Sequence, residues 1–140
     1  MKNARDFIKS DGYYNADESV HPLKRSFHRL AKRTLKKVAQ LLGLADGAYT
    51  IRTNYAGPAV MGDTTLHGEE VYIHITDPMW SDGSGAVLYR TCRGRKDYGG
   101  VHSRNNFLGI DAVDSPGTIA DAMAGVLVRE KLNAVAAASA

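Results

Sequence analysis

The stretch from His21 to Ala45 constrains this chain more than any other, because it holds seven basic residues and no acidic one. They are Lys24, Arg25, Arg29, Lys32, Arg33, Lys36 and Lys37. On a helical wheel, Leu23, Phe27, Leu30, Ala31, Leu35, Val38, Leu41 and Leu42 fall within an arc of roughly 140°. Lys24, Arg25, His28, Arg29, Lys32, Arg33, Lys36 and Lys37 are expected on the opposite side. The pattern predicts an amphipathic helix over 21–43, docked on a core through its apolar stripe. Pro22 suits the first turn, where its missing N–H matters little. Gly43 and Gly47, with Asp46 between them, are stop signals.

The net charge of +3 conceals this asymmetry, since the other 115 residues carry a net of −4. With 44% hydrophobic residues in 140, there is enough apolar material for a buried core. One cysteine, Cys92, excludes a disulfide framework within the chain and a multi-cysteine zinc site. No apolar run approaches the roughly 20 residues of a membrane span, and Met1 to Tyr14 has no signal-like apolar stretch. A cytoplasmic setting is expected.

Downstream, Tyr49–Thr53 alternates like a half-buried strand, and Ala56-Gly57-Pro58 breaks it. Ala59 to Leu66 predicts a second strand, with Gly62-Asp63 as a bulge or turn. Glu70–Thr76 is the clearest strand, with Val71, Ile73 and Ile75 on one face and Tyr72, His74 and Thr76 on the other. Ala86 to Cys92 is the next. Phe107 to Ile110 is a short apolar run. Ser115-Pro116 opens a second helix, with Ile119, Met123, Val126, Leu127 and Leu132 as its buried stripe. The expected organisation is an arm or short helix over 1–20, one domain over 21–133 and a flexible tail over 134–140. The expected class is α+β in two layers: a basic amphipathic helix, a three- to four-stranded antiparallel sheet and a C-terminal helix.

Two basic clusters are candidates for anion contact. On the helix, Arg25, Arg29 and Arg33 recur every four residues and point the same way, and no acidic residue four positions away offsets them. Such a face can run along phosphates, with counterion release providing affinity. A membrane-surface role fits poorly, because the apolar face is needed for the core. The second cluster is Arg90, Arg93, Arg95, Lys96 and Arg104, with Tyr98 placed to stack on a base. Gly94, Gly99 and Gly100 let that backbone approach a ligand, although the Gly-Lys-Ser/Thr ending of a Walker-type loop is absent. No cofactor is expected. The leading expectation is a non-enzymatic protein that binds nucleic acid, DNA or RNA, or else an acidic protein surface.

Other residues carry alternatives. His74 and Thr76 share a strand face as in two-histidine phosphoesterases, but His102-Ser103-Arg104 lacks the matching hydroxyl position. The five histidines show no helical metal-ligand spacing, so no metal site is expected. Cys92 reads as a small core residue. Trp80 lies in a turn-rich loop, and capping of the core is favoured over an exposed partner anchor.

The order helix, three strands, helix resembles that of the double-stranded-RNA-binding domain in topology alone. That family bears its lysines at the start of the last helix, whereas Pro116-Gly117-Thr118-Ile119-Ala120-Asp121 is not basic. A local resemblance is to small phage-encoded anti-CRISPR inhibitors of a guided nuclease, carried by Lys24-Arg25-Ser26-Phe27-His28-Arg29 and Tyr49-Thr50-Ile51-Arg52. It implies a mobile-element protein that disables a CRISPR nuclease complex by binding guide RNA or an acidic protein surface. It implies no catalytic residues.

Overall fold

A computed structural model describes residues 3–7, 22–55, 62–78, 80, 82–100 and 103–139. Helix α1 runs from Pro22 to Leu41. It ends in a Schellman motif at Gly43, which takes φ +73°. Leu44 N–H donates to Ala39 C=O at 3.0 Å and Gly43 N–H to Gln40 C=O at 3.0 Å, which satisfies two of the carbonyls a helix end leaves open.

Five strands follow in a meander: β1 Tyr49–Asn54, β2 Asp63–Gly68, β3 Val71–Thr76, β4 Val87–Thr91 and β5 Asn106–Leu108. Each pairs antiparallel with the next, in the order β1-β2-β3-β4-β5. The sheet thus has five strands where three or four were expected, because β5 is only three residues long and shows no alternation that a sequence can reveal. Strand β2 begins at Asp63, and the part of its expected span over 59–61 lies outside the described residues, as do most of the arm over 1–20 and His21. Of that arm, Ala4–Phe7 form a 3₁₀ turn, tied to the 3₁₀ turn Ile110–Asp114 by Ala4 N–H donating to Asp114 at 2.9 Å. Arg5 reinforces this tie with a two-pronged bond to Asp111 at 2.9 and 3.0 Å. The hydrogen bond to Asp111 raises the Arg5 pKa, and Asp111 is correspondingly held below the usual carboxylate range.

Register and pleat give the sheet two unlike faces. One carries Ile51, Leu66, Ile73 and Tyr89 in one cross-strand row and Thr64, Ile75, Val87 and Leu108 in the next. The other carries Arg52, Thr65, His74, Leu88 and Phe107 in one row and Thr50, His67, Tyr72 and Arg90 in the next. The first face is covered by α1 and by α2, which spans Pro116–Ser139. Between them the core holds Phe27, Leu35, Val38, Leu66, Ile73, Ile75, Ile110, Ile119 and Met123. Thr34 joins α1 to the turn before α2 by donating to the Val113 carbonyl at 2.6 Å. No helix among the described residues is long and apolar enough to cross a membrane.

Helix geometry corrects two expectations about α1. At roughly 100° per residue, Lys24 shares its azimuth with Leu42 and lies between Ala31 and Leu35, while His28 lies between Leu35 and Ala39. Both are buried rather than on the solvent side. The His28 ring places Nδ1 2.6 Å from Thr64 Oγ1 on β2. Burial lowers the Lys24 pKa.

Helix α2 differs from expectation at its far end. Leu132 is 64% exposed, not part of the buried stripe, because Glu130 already reaches Thr91, the last residue of β4. Beyond it the helix runs past the sheet. It continues through Ser139, as the alanine-rich run over 134–138, with the highest intrinsic helix propensity, permits. Trp80 is 56% exposed and does not cap the core. Its turn meets the core through Gly83 instead, where an added Cβ would lie 2.8 Å from Ile110.

Candidate nucleic-acid interface

Six of the seven α1 cations, Arg25, Arg29, Lys32, Arg33, Lys36 and Lys37, are exposed. They occupy an arc of roughly 140° on the side of the helix facing away from the sheet, over an axial length of about 18 Å. Among the described residues none of the six forms an ion pair. Arg29 donates to Ser26 Oγ at 3.0 Å. Leu30, Arg33, Thr34 and Lys37 line one wall of an open groove of about 440 Å³ between α1 and the start of α2. The seventh cation, Lys24, is buried and takes no part in this surface.

The 93–100 segment is a built loop, and Arg90 is its anchor rather than a ligand for phosphate. The Arg90 side chain is buried on the sheet face away from the helices. Its guanidinium donates to the carbonyls of Thr91 at 3.0 Å, Asp97 at 3.2 Å and Tyr98 at 3.1 Å. It lies 4.0 Å from the centre of the Tyr72 ring and 3.9 Å from Asp97 Oδ2. Asp97 in turn accepts from the backbone N–H of Arg93 at 2.9 Å and of Gly100 at 3.3 Å. Gly100 takes φ +64°, and a Cβ there would lie 2.8 Å from Arg90 Nε, so the turn requires glycine.

The remaining members of this cluster disperse. Arg93 is exposed and lines a cleft of about 210 Å³ with Glu130 and Lys131 of α2. Arg95 donates to the Gly47 carbonyl at 3.2 Å and pairs with Glu69 at 4.0 Å. Lys96 is exposed, and Arg104 is exposed just before the edge strand β5. Tyr98 is 60% exposed and meets His67 edge-on, with ring centres 5.1 Å apart. His67 Nε2 lies 2.9 Å from the Gly94 carbonyl. A carbonyl only accepts, so His67 carries its proton on Nε2.

The two clusters therefore do not form one groove. The α1 cations line the outside of the helical layer, whereas Arg90 and Tyr98 sit on the opposite face of the sheet, at least a helix width of about 10 Å away. Arg95 reaches the loop after α1 through its bond to the Gly47 carbonyl.

Sequence reasoning missed the open sheet face as a unit. Its row of Arg52, Thr65, His74, Leu88 and Phe107 exists only once five strands are in register. The shared face of Tyr72, His74 and Thr76 was the available signal. Burial lowers the His74 pKa against an opposing pull from Asp63. Thr76 spends its hydroxyl on the Gly62 carbonyl at 2.6 Å, and His102 lies outside the described residues. Cys92 is buried, its thiol donating to the Gly68 carbonyl at 3.3 Å, and burial raises its pKa. Among the described residues no group of three or more His, Cys, Asp or Glu is arranged to hold a metal ion.

These features define a two-layer α+β domain with a cationic outer helix face and, among the described residues, a second sheet face that no helix covers. No protein-family model, curated protein or solved structure matches the chain.

Proposed function

We propose that this is a non-enzymatic nucleic-acid-binding domain of the cytoplasm, which holds the phosphate backbone along the exposed face of α1. The supporting observation is the six-cation face, exposed over about 18 Å and without an ion-pair partner among the described residues. Like charges at this density cost helix stability unless something anionic covers them. Arg25, Arg29 and Arg33 supply planar forks suited to phosphate, and the lysines act as point charges beside them. Contacts of this kind fix position and carry little sequence information. Exposed Arg93, Lys96 and Arg104 extend the positive field around the end and edge of the sheet.

Fluorescence anisotropy with labelled duplex DNA, single-stranded DNA and structured RNA at about 50 mM salt tests this. Binding that weakens linearly in log affinity against log salt is expected for at least one of them. Absence of binding to all three, or a flat salt dependence, refutes it. The anti-CRISPR alternative predicts retention on a guided nuclease complex, and within its two resembling segments the exposed cations are Arg25, Arg29 and Arg52.

A further inference from the structure

On the nucleic-acid reading above, a second set of residues, separate from those of α1, is available on the sheet face that no helix covers among the described residues. An open groove of about 380 Å³ is lined by Arg52, Asp63, Thr65, His67, Tyr72 and Tyr98, with Thr53 and Asn54 completing it. We propose that this groove takes an unpaired nucleotide of a single-stranded nucleic acid, its base stacked on Tyr98 and its phosphate held by Arg52.

Each part has a physical basis. The Tyr72 ring already has the Arg90 guanidinium on one face and the His67 ring at its side. The Tyr98 ring has His67 alone as a ring partner among the described residues and is 60% exposed. A planar base has a free aromatic surface there. Arg90 grips the Tyr98 carbonyl and His67 meets its ring edge-on, so the backbone that carries the ring is held before a ligand arrives and less ordering cost remains. Arg52 is exposed on the same face and has no ion pair among the described residues. Asp63 accepts from Thr65 at 3.2 Å. It lies four residues along β2 from His67, beyond Arg52 and about 13 Å from the Tyr98 end, so its carboxylate bounds the phosphate position on the side away from the base.

A strand suits the site better than a lone nucleotide, because the face continues to a second exposed ring. Phe107 on β5 is 44% exposed and lies in the same cross-strand row as Arg52. From strand spacing and rise, the backbone positions of Tyr72 and Phe107 are about 12 Å apart. A duplex buries its bases in the stack, so this face discriminates for single strands through stacking, whereas α1 contacts any phosphate backbone.

The test compares a fluorescein-labelled six-nucleotide oligodeoxyadenylate with the abasic oligomer of the same phosphate count, both titrated against the full chain. The base-bearing strand is expected to bind about tenfold more tightly. Tyr98→Ala should abolish most of that ratio, with the salt dependence unchanged. Tyr98→Phe should preserve the ratio, which separates a stacking role from a merely structural one. Arg29→Gln with Arg33→Gln should make the salt slope shallower by about 1.4 while leaving the ratio intact, so failure of the groove and failure of the α1 surface are distinguishable. In ¹⁵N-edited NMR spectra, amide shifts at Arg52, Thr65 and Tyr72 should follow the base-bearing strand and not the abasic one. Equal affinity for the two oligomers, or an undiminished ratio in Tyr98→Ala, overturns the assignment.

Discussion

Replacing Arg90 separates an anchoring role from a phosphate-binding one. Arg90→Met keeps a stem of similar length over Tyr72 but leaves the Thr91, Asp97 and Tyr98 carbonyls without their donor. It also strips a mostly buried Asp97 of its cation at 3.9 Å. Removing one partner from such a buried, hydrogen-bonded arrangement costs about 3–5 kcal/mol. That is a large share of the roughly 5–15 kcal/mol that holds a domain of this kind together. With a urea slope of about 2 kcal/mol/M, the unfolding midpoint should fall by roughly 2 M. Urea titration followed by far-ultraviolet circular dichroism reads this directly. Arg90→Lys should recover only part of the loss, because an ammonium cannot reproduce the planar fork that serves three carbonyls. A midpoint within about 0.3 M of the wild type, together with a drop in nucleic-acid affinity, would refute the reasoning and return Arg90 to the binding surface.

Glycine replacements should rank by the space around them. Gly62→Ala, where a Cβ would run into the Asn54 carbonyl oxygen, should fold poorly, whereas Gly43→Ala, with open space and the same left-handed φ, should cost about 1 kcal/mol by urea titration. Met123→Ala should cost about 2–5 kcal/mol, and Leu132→Ala should stay within about 0.5 kcal/mol of wild type, since the first is buried and the second projects beyond the sheet. His74 contributes a pH dependence of defined sign. Its folded-state pKa is lowered, so between that value and the ordinary value near 6.5 the unfolded chain binds more protons. Its contribution is fully present above about pH 6.5 and is lost as pH falls toward the folded value. Thermal melts of wild type and His74→Gln should therefore diverge less at pH 5 than at pH 7.5.

The helix–sheet–helix order was legible in the sequence because it rests on local periodicity. The 3.6-residue stripe of α1, the alternation in β3 and β4 and the stop at Gly43 each follow from neighbours a few residues apart. Lys24 and His28 escaped because residue type outweighed azimuth: a lysine in the middle of an apolar arc reads as polar, yet its angle places it within the buried stripe of the helix. Arg90 escaped for a different reason. Its partners are backbone carbonyls of a loop folded back over the sheet, and no pattern in the sequence announces that return. The five-strand register that gathers Arg52, Tyr72 and Phe107 on one face is likewise a property of pairing rather than of any single strand.

The salt dependence of nucleic-acid binding tests the central claim most directly. If all six exposed α1 cations met phosphates, the slope of log affinity against log salt would be about −5 for duplex DNA and about −4 for a single strand. Substituting Arg25, Arg29 and Arg33 by glutamine should make that slope shallower by about 2–3 while the circular dichroism spectrum and urea midpoint hold steady. A triple variant that stays folded and binds with the slope of the wild type would contradict the claim.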